Sequence, residues 1–110
     1  MESVSVVLCN VPDQETGRSL ARLLLEKRLA ACVNLLPGVR SMYRWQGAIE
    51  EAQEVTMLIK TVSSRYHEVE QAIRSVHPYD LPEIICLPIH AGLPGFIDWI
   101  NVETRKDQDV

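Results

Sequence analysis

The feature that most constrains this chain is one long hairpin. From Ala31 the sequence runs as CVNLL, is interrupted by Pro37-Gly38, and resumes as VRSMYRW up to a turn at Gln46-Gly47. The return strand carries Ile49, then Val55, Met57 and Ile59 alternating with Thr56 and Lys60. At roughly 3.3 Å per residue, a strand from Ala31 to Trp45 spans about 50 Å. A domain of this length has a radius of gyration of only about 13 Å. The hairpin therefore overhangs its own core. An overhanging strand bearing Val39, Met42, Tyr43 and Trp45 is an aggregation hazard unless a neighbour pairs with it. Oligomerisation is expected on these grounds, and a closed ring satisfies every overhang equally.

The rest of the chain sets the fold class. Ser3 to Cys9 alternates, with Val4, Val6 and Leu8 on one face and Ser3 and Ser5 on the other, as a first strand does. Pro12-Asp13 starts a helix with Glu15 in its first turn and Leu20, Leu23 and Leu24 at helical spacing. Ser63 or Ser64 caps a second helix whose Tyr66, Val69, Ile73 and Val76 share a stripe, and Pro78 ends it. Glu83 to Ile89 reads as a fourth strand, held to an edge or a strand end by Pro88. A short helix with Phe96, Trp99 and Ile100 on one face follows Gly92, Pro94 and Gly95. The order predicts an α+β, ferredoxin-like βαββαβ sandwich: an antiparallel sheet with helices on one face and an extra C-terminal helix. With no repeat or linker, residues 1–110 form one expected domain, of which 102–110 are a flexible tail with nothing to bury.

Composition excludes several classes. Eleven basic and fifteen acidic residues give a net charge of −4, and no Lys/Arg block is present to neutralise a phosphate backbone, so nucleic acid is not an expected partner. No apolar run is long enough to span a bilayer, and Met1-Glu2-Ser3 lacks a basic leader, so no membrane association and a cytoplasmic location are expected. Cys9, Cys32 and Cys86 fit neither a disulfide framework nor a paired CxxC zinc site. Cys32 and Cys86 sit in strands among apolar neighbours, where core packing is expected. Nor is there a nucleophile-base set, a Gly-rich phosphate loop, or the aromatic motif of RNA-binding sheets, so no enzyme is predicted.

Several motifs become specific when taken in order: Cys9 on the first strand, AACVN at residues 30–34, YRWQGAIE at 43–50, IKT at 59–61, HPYDLPEI at 77–84, and Trp99. Over residues 3–101 the chain resembles the CutA, or divalent-cation-tolerance, family. The resemblance implies a homotrimer similar in architecture to PII signalling proteins, with clefts between subunits. It also implies binding of copper or another divalent cation, with Cys9 and His77 as metal ligands. Val76 stands where the family places the first of two successive histidines.

The residues themselves leave alternatives open. Cys9 is a buried small hydrophobe or a thiolate ligand; His77 caps the helix or contacts a metal. In the expected topology both lie at one end of the sheet, near the hairpin and the loop Tyr79 to Pro82. Tyr43, Trp45, Tyr79 and Trp99 line a ligand cleft there, or belong to core and subunit interface. Lys60 and Glu83 are an ion pair or ligand-binding charges. Glu50, Glu51 and Glu54 are a solvated edge that blocks strand pairing, the favoured reading, or weak oxygen ligands for divalent cations. Two functions are thus in view: a homotrimeric metal-tolerance protein, and a PII-like sensor or adaptor whose clefts take a small molecule or a partner protein.

Overall fold

The computed structural model describes residues 1–105. Four strands, β1 (Val4–Val11), β2 (Cys32–Trp45), β3 (Ala48–Val62) and β4 (Ile84–Pro88), form one antiparallel sheet in the order β2-β3-β1-β4. Helix α1 (Gln14–Glu26) and helix α2 (Tyr66–Val76), the latter entered through a 3₁₀ turn at Ser63–Arg65, complete the predicted βαββαβ order, and α3 (Pro94–Glu103) is the C-terminal addition.

The overhang is real. β1 pairs with β3 only from Val55 to Val62, so β3 from Ala48 and its partner β2 from Val39 to Trp45 run on past the core, giving a molecule 50 Å long and 27 × 21 Å across. Pro37-Gly38 supplies one extra residue to β2 between the pairs Leu36↔Thr56 and Val39↔Glu54. Gly38 takes φ +74° there, as a bulge requires. At the tip, Gln46 and Gly47 both have positive φ (51° and 83°) between the pair Trp45↔Ala48, a type I′ turn whose twist suits the hairpin. Met42 and Ile49 are 69% and 70% exposed on this arm.

One sheet face is sealed by helices. Asp13 Oδ1 accepts the Thr16 amide at 2.8 Å to cap α1, and Leu20, Ala21 and Leu24 bury that helix against Val7, Cys9, Val11, Val55, Met57 and Ile59, which Val69 and Ile73 of α2 also meet. The alternation in β1 is thus carried by both faces. The side bearing Ser5 enters this core, while Val6 and Leu8 lie on the opposite side, because a central strand is apolar on both. That opposite side also carries Leu36, Leu58, Ile85 and Leu87, and Ile100 of α3 packs on it at Val4 and Val62. Cys86 is exposed rather than in the core, since β4 is a sheet edge, and Cys32 is half-buried.

The buried Arg65 guanidinium ties the ends together: it donates to the Arg28 and Thr104 carbonyls and pairs with Glu68 at 2.8 Å. Residues assigned by pattern to a loose tail are therefore partly structural. Val102 and Glu103 finish α3, and Thr104 is buried; residues 106–110 lie outside the described residues.

Candidate functional site

The end of β1 and the end of α2 meet at one carbonyl. Cys9 points into the helix-covered core, fully buried, and its thiol donates a long bond to the Asn10 oxygen at 3.8 Å. Pro78 forces His77 out of the helix into extended backbone (φ −73°, ψ 133°). Its ring turns back so that Nε2 lies 2.7 Å from the same Asn10 oxygen, while Nδ1 accepts the Tyr79 amide at 3.1 Å. A carbonyl only accepts and an amide only donates, so the ring is held as the Nε2–H tautomer. Burial, then the Glu83 and Glu54 carboxylates, push the Cys9 thiol from 9.0 to about 12. Cys9 and His77 are thus brought together, each with its proton aimed at Asn10.

The Asn10 side chain faces the other side of the sheet, where a cleft begins. Its Nδ2 donates to Glu83 Oε1 at 3.0 Å, and its Oδ1 accepts the Thr56 hydroxyl at 2.7 Å. Beside it Glu54, only 8% exposed, accepts the Ser41 hydroxyl on Oε1 at 2.6 Å and the Tyr79 hydroxyl on Oε2 at 3.0 Å. Burial and the bond to Glu54 raise the Tyr79 phenol to about 12. The overhanging hairpin forms one wall through Tyr43, Arg44 and Trp45; the loop at Tyr79, Asp80 and Leu81 forms another. The open cleft between them has a volume of about 700 Å³.

Of the six cleft candidates, Tyr43, Trp45, Tyr79 and Glu83 line this space, and Lys60 and Trp99 do not. Lys60 hydrogen-bonds Asn34 and approaches Cys32, whereas Glu83 holds Asn10, so the two are not a pair within the chain. Trp99 stacks on Phe96 on α3, ring centroids 5.6 Å apart. Asn10 and Glu54 are what the pattern missed. Glu54 sits where β1 runs out beside the bulge, not on the solvated edge with Glu50 and Glu51; its signal is that it lies two residues from Thr56 on the Asn10 face.

Residues 5–103 match the family described as CutA1 divalent ion tolerance protein. The chain belongs to that family. The divalent-cation tolerance protein CutA of Thermus thermophilus is 44% identical over 99 residues, covering 90% of this chain and 96% of the relative. The crystal structure of CutA from Xylella fastidiosa superposes with a TM-score of 0.91 at 41% identity, over 94% of this chain and 99% of that one. A structure from Archaeoglobus fulgidus, called a periplasmic divalent cation tolerance protein, matches at 0.90 and 38% identity over 93% and 99%. The family role is therefore divalent-cation tolerance, on an α+β fold shared with CutA structures. No described helix is long and apolar enough to cross a membrane.

A sulfur and an imidazole are donors that suit copper or zinc. The geometry is not a preformed cage. Among the described residues no three His, Cys, Asp or Glu side chains gather as a metal site. Val76 is exposed at the last turn of α2 while His77 beside it is buried.

Proposed function

We propose that this chain acts in divalent-cation tolerance as a cytoplasmic homotrimer that binds copper or another divalent metal ion through Cys9 and His77, without catalysing a reaction. One observation carries the metal reading: the Cys9 thiol and the His77 imidazole, remote in sequence, converge on the single Asn10 carbonyl, and the Asn10 side chain leads through the sheet to a cleft bearing the Glu54 and Glu83 carboxylates. The carboxylates draw a cation toward the site, and the thiol and imidazole supply soft donors once their protons leave. The trimer reading is supported by the apolar sheet face of Leu36, Leu58, Ile85 and Leu87 and by the arm ending in Met42 and Ile49, which no described element seals.

Anaerobic calorimetric titration with Cu(I), Cu(II) and Zn(II) tests the metal reading, with Cys9→Ser, His77→Ala and Val76→His beside the wild type. One site per chain, lost in the first two variants, is the expected result. Binding only in Val76→His, or in none, refutes it. Light scattering tests assembly: three times 12.5 kDa is expected, and a monomer mass at micromolar protein ends the trimer reading.

A second reading is favoured by the cleft itself. About 700 Å³ lies in the range of small-molecule sites, and its walls combine aromatic rings with convergent polar groups. In this reading the chain is a sensor, like the PII proteins its architecture resembles, and a ligand raises the melting temperature in the absence of metal.

A further inference from the structure

The imidazole of His77 has a single lone pair to give, and that lone pair is already engaged. A neutral imidazole carries one N–H and one accepting nitrogen. Here the N–H is at Nε2, on the Asn10 carbonyl at 2.7 Å, and the accepting nitrogen is Nδ1, which takes the Tyr79 amide at 3.1 Å. A metal bond to His77 would use that lone pair. It is free at Nδ1 only if the Tyr79 N–H withdraws. It is free at Nε2 only if the ring proton moves to Nδ1, where it would face the Tyr79 N–H, donor against donor. Both routes begin with release of the Tyr79 amide.

That amide is held in place from its own side chain. Pro78 and Pro82 have no backbone N–H, and among the described residues 78–82 make two hydrogen bonds, both through Tyr79: the amide to His77, and the hydroxyl to Glu54 Oε2 at 3.0 Å. The Tyr79 ring also lies against the His77 ring, centroids 4.8 Å apart. Glu54 stands on β3 and its other oxygen accepts the Ser41 hydroxyl of β2 at 2.6 Å, so the far end of Tyr79 is fastened to the paired strands of the hairpin. Each of these bonds is made within one chain, whatever packs against the cleft. Resting on the reading of His77 as a metal ligand, we propose that Tyr79 is the latch of that site: the hydroxyl bond to Glu54 keeps the Tyr79 amide on Nδ1, and the imidazole becomes a ligand only when residues 78–82 let go. Tyr79 is thus a positioning residue, and the apparent affinity for metal is the intrinsic one reduced by the fraction of chains that are open.

Titration of the intact protein with Zn(II), followed by calorimetry and by hydrogen exchange at the residue 79 amide, tests the latch in wild type, Tyr79→Phe and His77→Ala. Tyr79→Phe keeps the ring against His77 and deletes the hydroxyl bond to Glu54. It is expected to bind Zn(II) about tenfold more tightly, the factor by which losing a hydrogen bond to a carboxylate raises the open fraction. In the wild type the amide is expected to be protected without metal and to exchange at least tenfold faster once Zn(II) saturates the site. A hydroxyl with a structural role alone would lower the melting temperature of Tyr79→Phe and leave its Zn(II) affinity unchanged, and that result overturns the proposal. So does Zn(II) binding that is lost in His77→Ala yet leaves the wild-type amide protected; the metal reading then stands without the latch. If neither wild type nor Tyr79→Phe binds Zn(II) at millimolar concentration, the metal reading falls and the latch falls with it.

Discussion

The Cys9 thiol gives the sharpest test of how the core and the site are built. It has no exposed surface, and burial followed by the Glu83 and Glu54 charges carries it from 9.0 to about 12. Three pH units correspond to roughly 4 kcal/mol disfavouring the folded thiolate. Between pH 9 and 12 an unfolded chain has released this proton and the folded one has kept it, so the unfolded state binds fewer protons and stability falls as pH rises. The contribution is fully present below pH 9 and is lost at about 1.4 kcal/mol per unit above it. Cys9→Ala removes this slope, whereas Tyr66 and Tyr79, both raised from 10.0 to about 12, keep theirs. Urea unfolding of wild type and Cys9→Ala, at pH 8 and pH 10.5 and at fixed protein concentration, isolates the difference. The wild type should lose about 2 kcal/mol more than the variant over that span. Iodoacetamide at pH 8 should meanwhile label the exposed Cys86 and spare Cys9 until the chain unfolds. A stability difference that does not move with pH, or rapid labelling of Cys9, refutes the placement of this thiol in a sealed, negatively biased core.

Other perturbations address the scaffold. Arg65→Met strips the Arg28 and Thr104 carbonyls of their donor and should cost about 3 kcal/mol in chemical denaturation; a loss under 1 kcal/mol shows that α3 does not depend on this tie. Gly47→Val forces a β-branched side chain to φ 83° and should lower stability by about 1–2 kcal/mol, while Gln46→Asn at φ 51° should be neutral or stabilising. The reverse order of melting temperatures excludes a type I′ tip. Asp13→Ala deletes the bond to the Thr16 amide and should cost about 1 kcal/mol, seen as a lower urea midpoint with an unchanged slope.

The long hairpin was legible because strand length is additive: residues of one pattern times a fixed rise must exceed a compact core, whatever packs on them. The break at Pro37-Gly38, which the structure resolves as a bulge, and the turn at Gln46-Gly47 were legible because each needs backbone conformations that few residues adopt. The facing of β1 was not. Ser5 and Val6 alternate as though the Ser5 side were wet, yet Ser5 lies on the helix-covered side and Val6 on the opposite one, so polarity at a single position does not decide which way the strand turns. Cys86 failed for the converse reason: its neighbours Ile85 and Leu87 are apolar, but both point to the face opposite the helices, and Cys86 between them lies on an edge strand.

The site divides along the same line. That Cys9 and His77 meet follows from topology, since β1 and α2 end together, and the sequence order alone brings them close. The state of their atoms does not follow, because it is set by a backbone carbonyl that pattern reasoning never counts: the Asn10 oxygen takes both hydrogens. Glu54 is the same lesson in charge. Read with Glu50 and Glu51 it is one of several acids on a wet strand, and only the stop of β1 at Val11, opposite Val55, places it under the Tyr79 and Ser41 hydroxyls and away from water. Desolvation is a property of where strands end. Both a proton-holding thiol and a buried carboxylate that has no ion pair among the described residues therefore arise at the rim where the core gives way to the overhanging arm.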